Sequence, residues 1–168
     1  MASPNKDLGP CGAYWNGVHI GPTLGGIKFK DDLNSEDIFE DGHGKTPVDS
    51  VSVGRITSCE VPMTRSSWAQ LKAMIPGSTG GSSNLEVYNS VGLDFFALAK
   101  ALVLKPLVNN VASVTESQWL TIYRAYPVAA VEFAYDNSTQ RGVKVLFKVY
   151  PDDTSGNVGK TWRMGPVV

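Results

Sequence analysis

Residues 48–77 read VDSVSVGRITSCEVPMTRSSWAQLKAMIPG, and two periods meet inside them. In the first half Val51, Val53, Cys59, Val61 and Met63 share one parity, the alternation of a strand with one face turned inward. Arg55 and Thr57 interrupt that parity, and Gly54 marks a bulge or bend. About fourteen extended residues span ~45 Å, longer than an ordinary strand. After residue 66 the period changes: Trp68, Leu71 and Ile75 fall at i, i+3 and i+7, one face of a short helix. Ser67 and Gln70 fit a capping box, in which each side chain takes up a free N–H of the first turn; Thr64 is the alternative cap. Pro76-Gly77 stops the helix.

On the N-terminal side, residues 13–20 (AYWNGVHI) form a short aromatic strand closed by Gly21-Pro22, and Gly25-Gly26 makes a break. Residues 27–30 alternate apolar and basic, the pattern of a half-buried strand. Residues 31–41 hold Asp31, Asp32, Glu36, Asp37, Glu40 and Asp41 with no Lys or Arg, and residues 42–47 (GHGKTP) are turn chemistry. Residues 31–47 therefore read as a long exposed loop between two strands.

On the C-terminal side, residues 78–84 are a Gly/Ser linker and 85–91 a strand or turn. Residues 95–108 (FFALAKALVLKPLV) have helical composition but also alternate as a strand buried on both faces; Pro106 tilts the reading to strand. Residues 119–123 form a short strand. Residues 128–135 and 143–149 alternate around a polar turn at 136–142, which makes a hairpin. A polar tail follows from 152, with Trp162 and Met164 tucked back onto the body. The expected fold is mainly β: six to eight strands in a two-sheet β-sandwich or barrel, with one short α-helix packed outside and one long extended loop. It is one domain over 1–168, with an N-terminal arm at 1–12, the loop at 31–47 and the tail at 152–168.

At 168 residues such a domain holds a core without staples. Only 18% of residues are charged, a coat thin enough to point to surface covered by neighbours. The net charge of −1 lacks the basic excess of proteins that grip nucleic acid. Cys11 and Cys59 show no metal or redox spacing and read as free thiols in a reducing cytoplasm. Residues 1–10 lack the apolar stretch of a signal peptide, and no apolar run matches a membrane span.

Chemical motifs fail on inspection. Residues 156–161 (GNVGKT) look like the end of a phosphate loop, but Thr154 stands where its first glycine belongs and too little chain follows for the helix. Asp32, Asn34 and Glu36 have calcium-loop spacing, but Asp37 and His43 stand where such a loop needs Gly and Glu. His19 lies in an apolar strand, as a hydrogen-bonded core or interface histidine does, and His43 lies between two glycines. No nucleophile elbow or Cys/His pairing forms around them. Asn137-Ser138-Thr139 reads as turn residues rather than a glycosylation site. The sequence thus assigns no catalytic residue, no cofactor and no metal.

The long strand with its mid-strand glycine and arginine (VSVGRITSCEVPM), the short helix after it (SSWAQLKAMIPG), and the block QWLTIYRAYPVAAVEFAYDNSTQRGVKVLFKVYPDD stand in a telling order. This layout, over roughly residues 13–153, resembles the tail tube proteins of tailed phages, which share a fold with the tubes of pyocin-like particles and type VI secretion systems. The Ala/Leu-rich run at 95–108 departs from that texture. The resemblance implies a non-catalytic structural virion protein, assembled in the host cytoplasm as a homohexamer. Its rings stack head to tail around a channel that holds a tape measure protein and then passes DNA during ejection, without specific DNA binding or membrane contact. Further partners implied are tail terminator and baseplate proteins, and a sheath if the tail contracts. Inter-ring or inter-subunit contacts then fall to Asp31, Asp32, Glu36, Asp37, Phe39, Glu40, Asp41, His43 and Lys45. A secretion-system or pyocin-like tube, or another ring-forming tail component, fits the same architecture. A small β-barrel binding module or hydrolase is the alternative of a different class, and it calls for a pocket with convergent carboxylates or His19.

Overall fold

A computed structural model describes residues 9–64, 67–132 and 142–166. In chain order its elements are β1 (Cys11–Trp15), β2 (Val18–His19), β3 (Lys28–Ile38), β4 (Asp49–Thr64), α1 (Trp68–Met74), β5 (Ser78–Thr79), β6 (Glu86–Val87), α2 (Phe95–Leu98), β7 (Lys100–Val108), β8 (Val111–Ala112), β9 (Leu120–Glu132), β10 (Gly142–Tyr150) and β11 (Trp162–Met164). The fold is mainly β, as the alternating runs and turn-rich composition imply. One antiparallel sheet of nine strands dominates, in the order β2-β1-β7-β9-β10-β4-β3, with β8 on β7 and β11 on β9. The second sheet is only β5 with β6.

The barrel alternative is corrected: the sheet does not close. Its two ends are instead tied by residues 20–24. Ile20 donates its N–H to the Ala13 carbonyl of β1 at 2.9 Å. Leu24 donates to Pro62 at 3.1 Å, Thr64 donates to Pro22 at 2.8 Å, and Thr23 bridges Met63 of β4.

The core lies on one face of the sheet. Cys59, Val61 and Met63 of β4 face Phe147, Val145 and Val143 of β10 in register, and β9 contributes Pro127 and Ala129 on the other side. Phe147, Val145, Val61 and Cys59 are fully buried. Burial pushes the Cys59 thiol up to about 12, with the nearby Cys11 and Glu60 adding to the shift. The helix packs onto this core by one face. Leu71, Met74 and Ile75 are its buried residues, whereas Trp68, expected to lead the apolar face, is 46% exposed. The i, i+3, i+4 set at 71, 74 and 75 thus replaces the set begun at Trp68.

The capping box forms as read. Ser67 donates its N–H to Gln70 Oε1 at 2.8 Å, and Gln70 donates its N–H to Ser67 Oγ at 3.3 Å. A Ser67→Ala chain is expected to lose about 1 kcal/mol of stability, measured by urea denaturation, because the Gln70 N–H of the first turn loses its side-chain acceptor.

Two irregularities set which side chains face inward. Asn34 pairs Gly54 but Ser35 pairs Ser52, so Val53 is an extra residue on β4, and Gly54 adopts φ +136°. This is the bulge that Gly54 announced. On β9, Ile122 and Ala125 are both fully buried although their parities differ. There β7 pairs Leu102 with Ile122 and Lys100 with Ala125, two residues against three. The expected separate strands at 119–123 and 128–135 are therefore, as far as residue 132, one strand with a kink, and Pro127 sits inside it; residues 133–135 lie outside the described residues. The polar turn expected at 136–142 and the triplet at Asn137 lie mostly outside the described residues. Residues 95–108, read as strand, divide into both candidates: Asp94 Oδ1 caps α2 through the Ala97 N–H at 3.1 Å, and β7 begins at Lys100.

Candidate interaction surface

The main correction concerns residues 31–47. Eight of these seventeen residues are strand, not loop: β3 runs through Ile38 and pairs with β4 as far as Asp49. Only residues 39–48 form the tip, with a single 3-10 turn at Asp41–His43, and Val48 donates its N–H to the Ile38 carbonyl at 2.9 Å to close it. β3 and the first half of β4 thus make a two-stranded arm. Every residue of β4 from 49 to 56 is exposed, and so is every residue of β3 from 33 to 38. The exposed set includes Leu33 (56%), Phe39 (56%), Val53 (57%) and Ile56 (62%).

Partners opposite one another in an antiparallel ladder share a face. The arm face that continues the core side carries Asp31 opposite Thr57 and Leu33 opposite Arg55. Asp31 is paired with Arg55 and accepts a 2.6 Å hydrogen bond from Thr57 Oγ1. That Thr57 bond, helped by Trp162 and Arg55, holds the Asp31 carboxyl below the ordinary carboxylate range despite partial desolvation. Further out, Ser50 Oγ donates to Asp37 at 2.6 Å. The opposite face carries Asp32, Glu36 and Ile38 against Ile56, Val51 and Asp49.

The nine residues singled out in the sequence therefore divide. Asp31 and Asp37 are tied within the arm, and Asp32 is tied to Lys30. Glu36 is exposed on the outer face; Phe39, Glu40, Asp41, His43 and Lys45 are exposed at the tip. His43 Nδ1 lies 3.6 Å from the Glu40 carboxylate. Asp32, Asn34 and Glu36 lie along a strand and not in a calcium-type loop. The sequence reading missed the apolar contribution of β4: Val51 and Val53 were assigned inward but are 49% and 57% exposed. The odd residue out was Ile56, apolar where its parity calls for solvent.

Between the core side of the arm and the C-terminal segment lies an open groove of about 580 Å³, lined among others by Leu33, Arg55, Pro151, Lys160 and Trp162. Neither histidine lines it. His19 is exposed on β2, with its ring 4.9 Å from that of Tyr14, and is not a core residue. The phosphate-loop lookalike at 156–161 is a turn, followed by β11 rather than a helix; Lys160 Nζ caps the Gly156 carbonyl at 2.9 Å. No group of three or more metal-ligating side chains is found among the described residues, and none of the described helices is long and apolar enough to cross a membrane.

The expected tail is tied down. Asp152 is 6% exposed and accepts from Arg124 Nε at 3.2 Å, from Thr154 N–H at 3.1 Å and from Thr154 Oγ1 at 2.8 Å. Trp162 packs edge-on against Phe29 at 5.3 Å, whereas Met164, expected to tuck in, is 66% exposed. Burial alone would raise the Asp152 carboxyl, but the Thr154 and Arg124 hydrogen bonds outweigh it and hold it low. A carboxylate lowered in the folded state stabilises fully above its unfolded value, about 3.9, and loses that contribution as pH falls through the folded value. Stability is therefore expected to hold from neutral pH to about pH 4 and then to fall. Asp152→Asn should cost about 2 kcal/mol at pH 7 by urea denaturation and flatten that acid limb, Arg124 keeping enough solvent to soften the loss.

Neither a scan against protein-family models nor a search of curated proteins found a match to this chain.

Proposed function

We propose that this chain is a non-catalytic structural subunit of a phage-type tail tube, closing into hexameric rings that stack into a conduit for DNA. The observation that carries the reading is the β3–β4 arm, exposed on both faces and studded with large apolar side chains. A two-stranded ribbon alone in water is marginal, because it has no third layer to cover it. A ribbon of this length with Leu33, Phe39, Val53 and Ile56 exposed is explained by a protein surface that covers it.

The sheet margins support the same reading. β3, eleven residues long, forms one edge of the sheet, a template for pairing that a closed assembly would use up. Such an assembly is built from heterologous contacts, which close into rings or extend as filaments. In a tail tube the lumen would hold the tape measure protein before DNA passes, and a chain without basic excess suits passage over binding. Terminator, baseplate and, in a contractile tail, sheath proteins would meet the outer ends and walls, in a virion assembled in the host cytoplasm.

Light scattering on a size-exclusion column checks the ring. A particle of six 18.1 kDa chains, or multiples of it, is the expected result. An 18.1 kDa monomer at every concentration and salt would rule the reading out.

A further inference from the structure

The charge of this chain is divided along its length. Residues 31–49 hold seven of the sixteen carboxylates and one of the fifteen Lys and Arg residues, a net −6. The chain as a whole is −1, so the remaining sequence carries +5. An acidic arm therefore projects from a basic body.

One body face collects that positive charge in a regular array. It is the solvent face of β3, β4 and β10, on the side away from the core. Register places Lys30 and Lys148 on either side of Ser58, and Lys28 and Leu146 on either side of Glu60; Lys144 lies opposite Pro62. Residues two strands apart are separated by about 10 Å, so the four lysines fill a compact patch. All four are exposed, with Leu146 40% exposed among them and Val128 beside it on β9. Glu60, 3.1 Å from Lys144 Nζ, and Asp32, paired with Lys30, compensate part of this charge, which leaves Lys28 and Lys148 without a carboxylate partner among the described residues.

The outer face of the arm has the matching composition. Glu36 lies opposite Val51 and Ile38 opposite Asp49, so carboxylates and apolar side chains alternate as lysines and Leu146 do on the body. The arm cannot fold back on this patch, because both are parts of one continuous β3–β4 ladder and the pairing holds them apart. The complement can be met only between molecules.

We propose that the lysine face of β3, β4 and β10 is the docking site for the acidic arm of a second copy of this chain. The two surfaces are different, so the contact is head to tail and leaves each copy with one free donor arm and one free acceptor face. This deepens the assembly reading above and rests on it for the geometry of the final particle. Electrostatic complementarity sets orientation and rejects wrong partners, and the apolar residues at the centre carry the affinity.

The test is a charge swap read by sedimentation velocity over a concentration series and by electron microscopy. Glu36→Lys with Asp49→Lys in the arm, and Lys144→Glu with Lys148→Glu on the face, should each raise the assembly concentration by about tenfold or more. Mixing the two variants, or combining all four changes in one chain, should bring it back to within about threefold of the parent, because each reversed surface then meets its complement. Rescue also excludes misfolding as the cause of the single-surface losses. Tubes that form from the parent but ignore all these changes, or losses that the swap does not rescue, overturn the docking while leaving the tube reading in place. Salt-sensitive, swap-rescued dimers or chains without a central hole support the docking and overturn the tube. A parent chain that stays monomeric at low salt overturns both.

Discussion

A chain in which residues 34–54 are replaced by an Asn-Gly turn after Leu33 is expected to fold with nearly the parent's stability and to lose assembly altogether. Every residue of the described core lies outside the excised segment, and α1, β7, β9 and β10 are untouched. The Asp31–Arg55 pair and the Thr57 hydrogen bond remain to hold the root of the arm. Removal of an exposed ribbon should therefore change the urea unfolding free energy by no more than about 1 kcal/mol, since such a ribbon has little stability of its own. The effect on association is of a different size. Ile38, Phe39, Val51 and Val53 are removed together. Buried apolar anchors at an interface are commonly worth about 2 kcal/mol or more each, so the loss of even two raises the assembly concentration about a hundredfold or more. Equilibrium sedimentation should find one species at the monomer mass. If the shortened chain assembled at the parent's concentration, the arm would have no part in assembly.

Phe147→Ala is the opposite kind of change, large in stability. Phe147 is fully buried in the middle of β10, opposite Cys59 on one side and Pro127 on the other, with Trp15 tilted against it at 6.5 Å. Truncation removes most of the ring contacts and leaves a cavity that three β strands cannot collapse around, a loss of about 3–5 kcal/mol. In a domain of this length each kcal/mol corresponds to roughly 2–4 °C, so the melting temperature should fall by about 10 °C. Differential scanning calorimetry checks it. A fall of only a few degrees would mean that the space around Phe147 refills, and that the core is less tightly set than its burial indicates. Leu146, its neighbour, points to solvent at 40% exposure; Leu146→Ala should change stability far less.

Where one period held for a whole element, the sequence was a good guide. Val143, Val145 and Phe147 alternate with lysines because β10 is paired on both sides and covered on one face only. The capping box at Ser67 and Gln70 was readable because its geometry is local. The failures came where a single inserted residue reversed the parity. On β9 the kink between Ile122 and Ala125 made one strand look like two, and on β4 the extra Val53 hid an exposed ribbon behind an inward-looking pattern. The acidic run was taken for a loop because none of its side chains is buried, so nothing in its composition distinguished a two-sided exposed strand from a coil. Asn16-Gly17 was passed over inside residues 13–20, although both adopt positive φ (51° and 78°) and turn β1 into β2. That dipeptide between apolar residues is the strongest short hairpin signal there is.

The candidate surface was legible in charge but not in form. Glu36, Phe39, Glu40, Asp41, His43 and Lys45 were placed on an exposed projection and are exposed. Asp31 was grouped with them but is held by Arg55 and Thr57, because an aspartate on the inward parity of a strand root must find a partner. The lysine face became visible only with register, since Lys28 and Lys148 are far apart in the chain and two strands apart in the sheet.

Negative-stain electron microscopy of the purified, concentrated chain at low salt tests ring assembly directly. Six-fold rings with a stain-filled centre, seen end-on and stacked side-on into tubes, are the expected images. Fields of single small particles at the same concentration, with neither rings nor stacks, would contradict assembly into a tube.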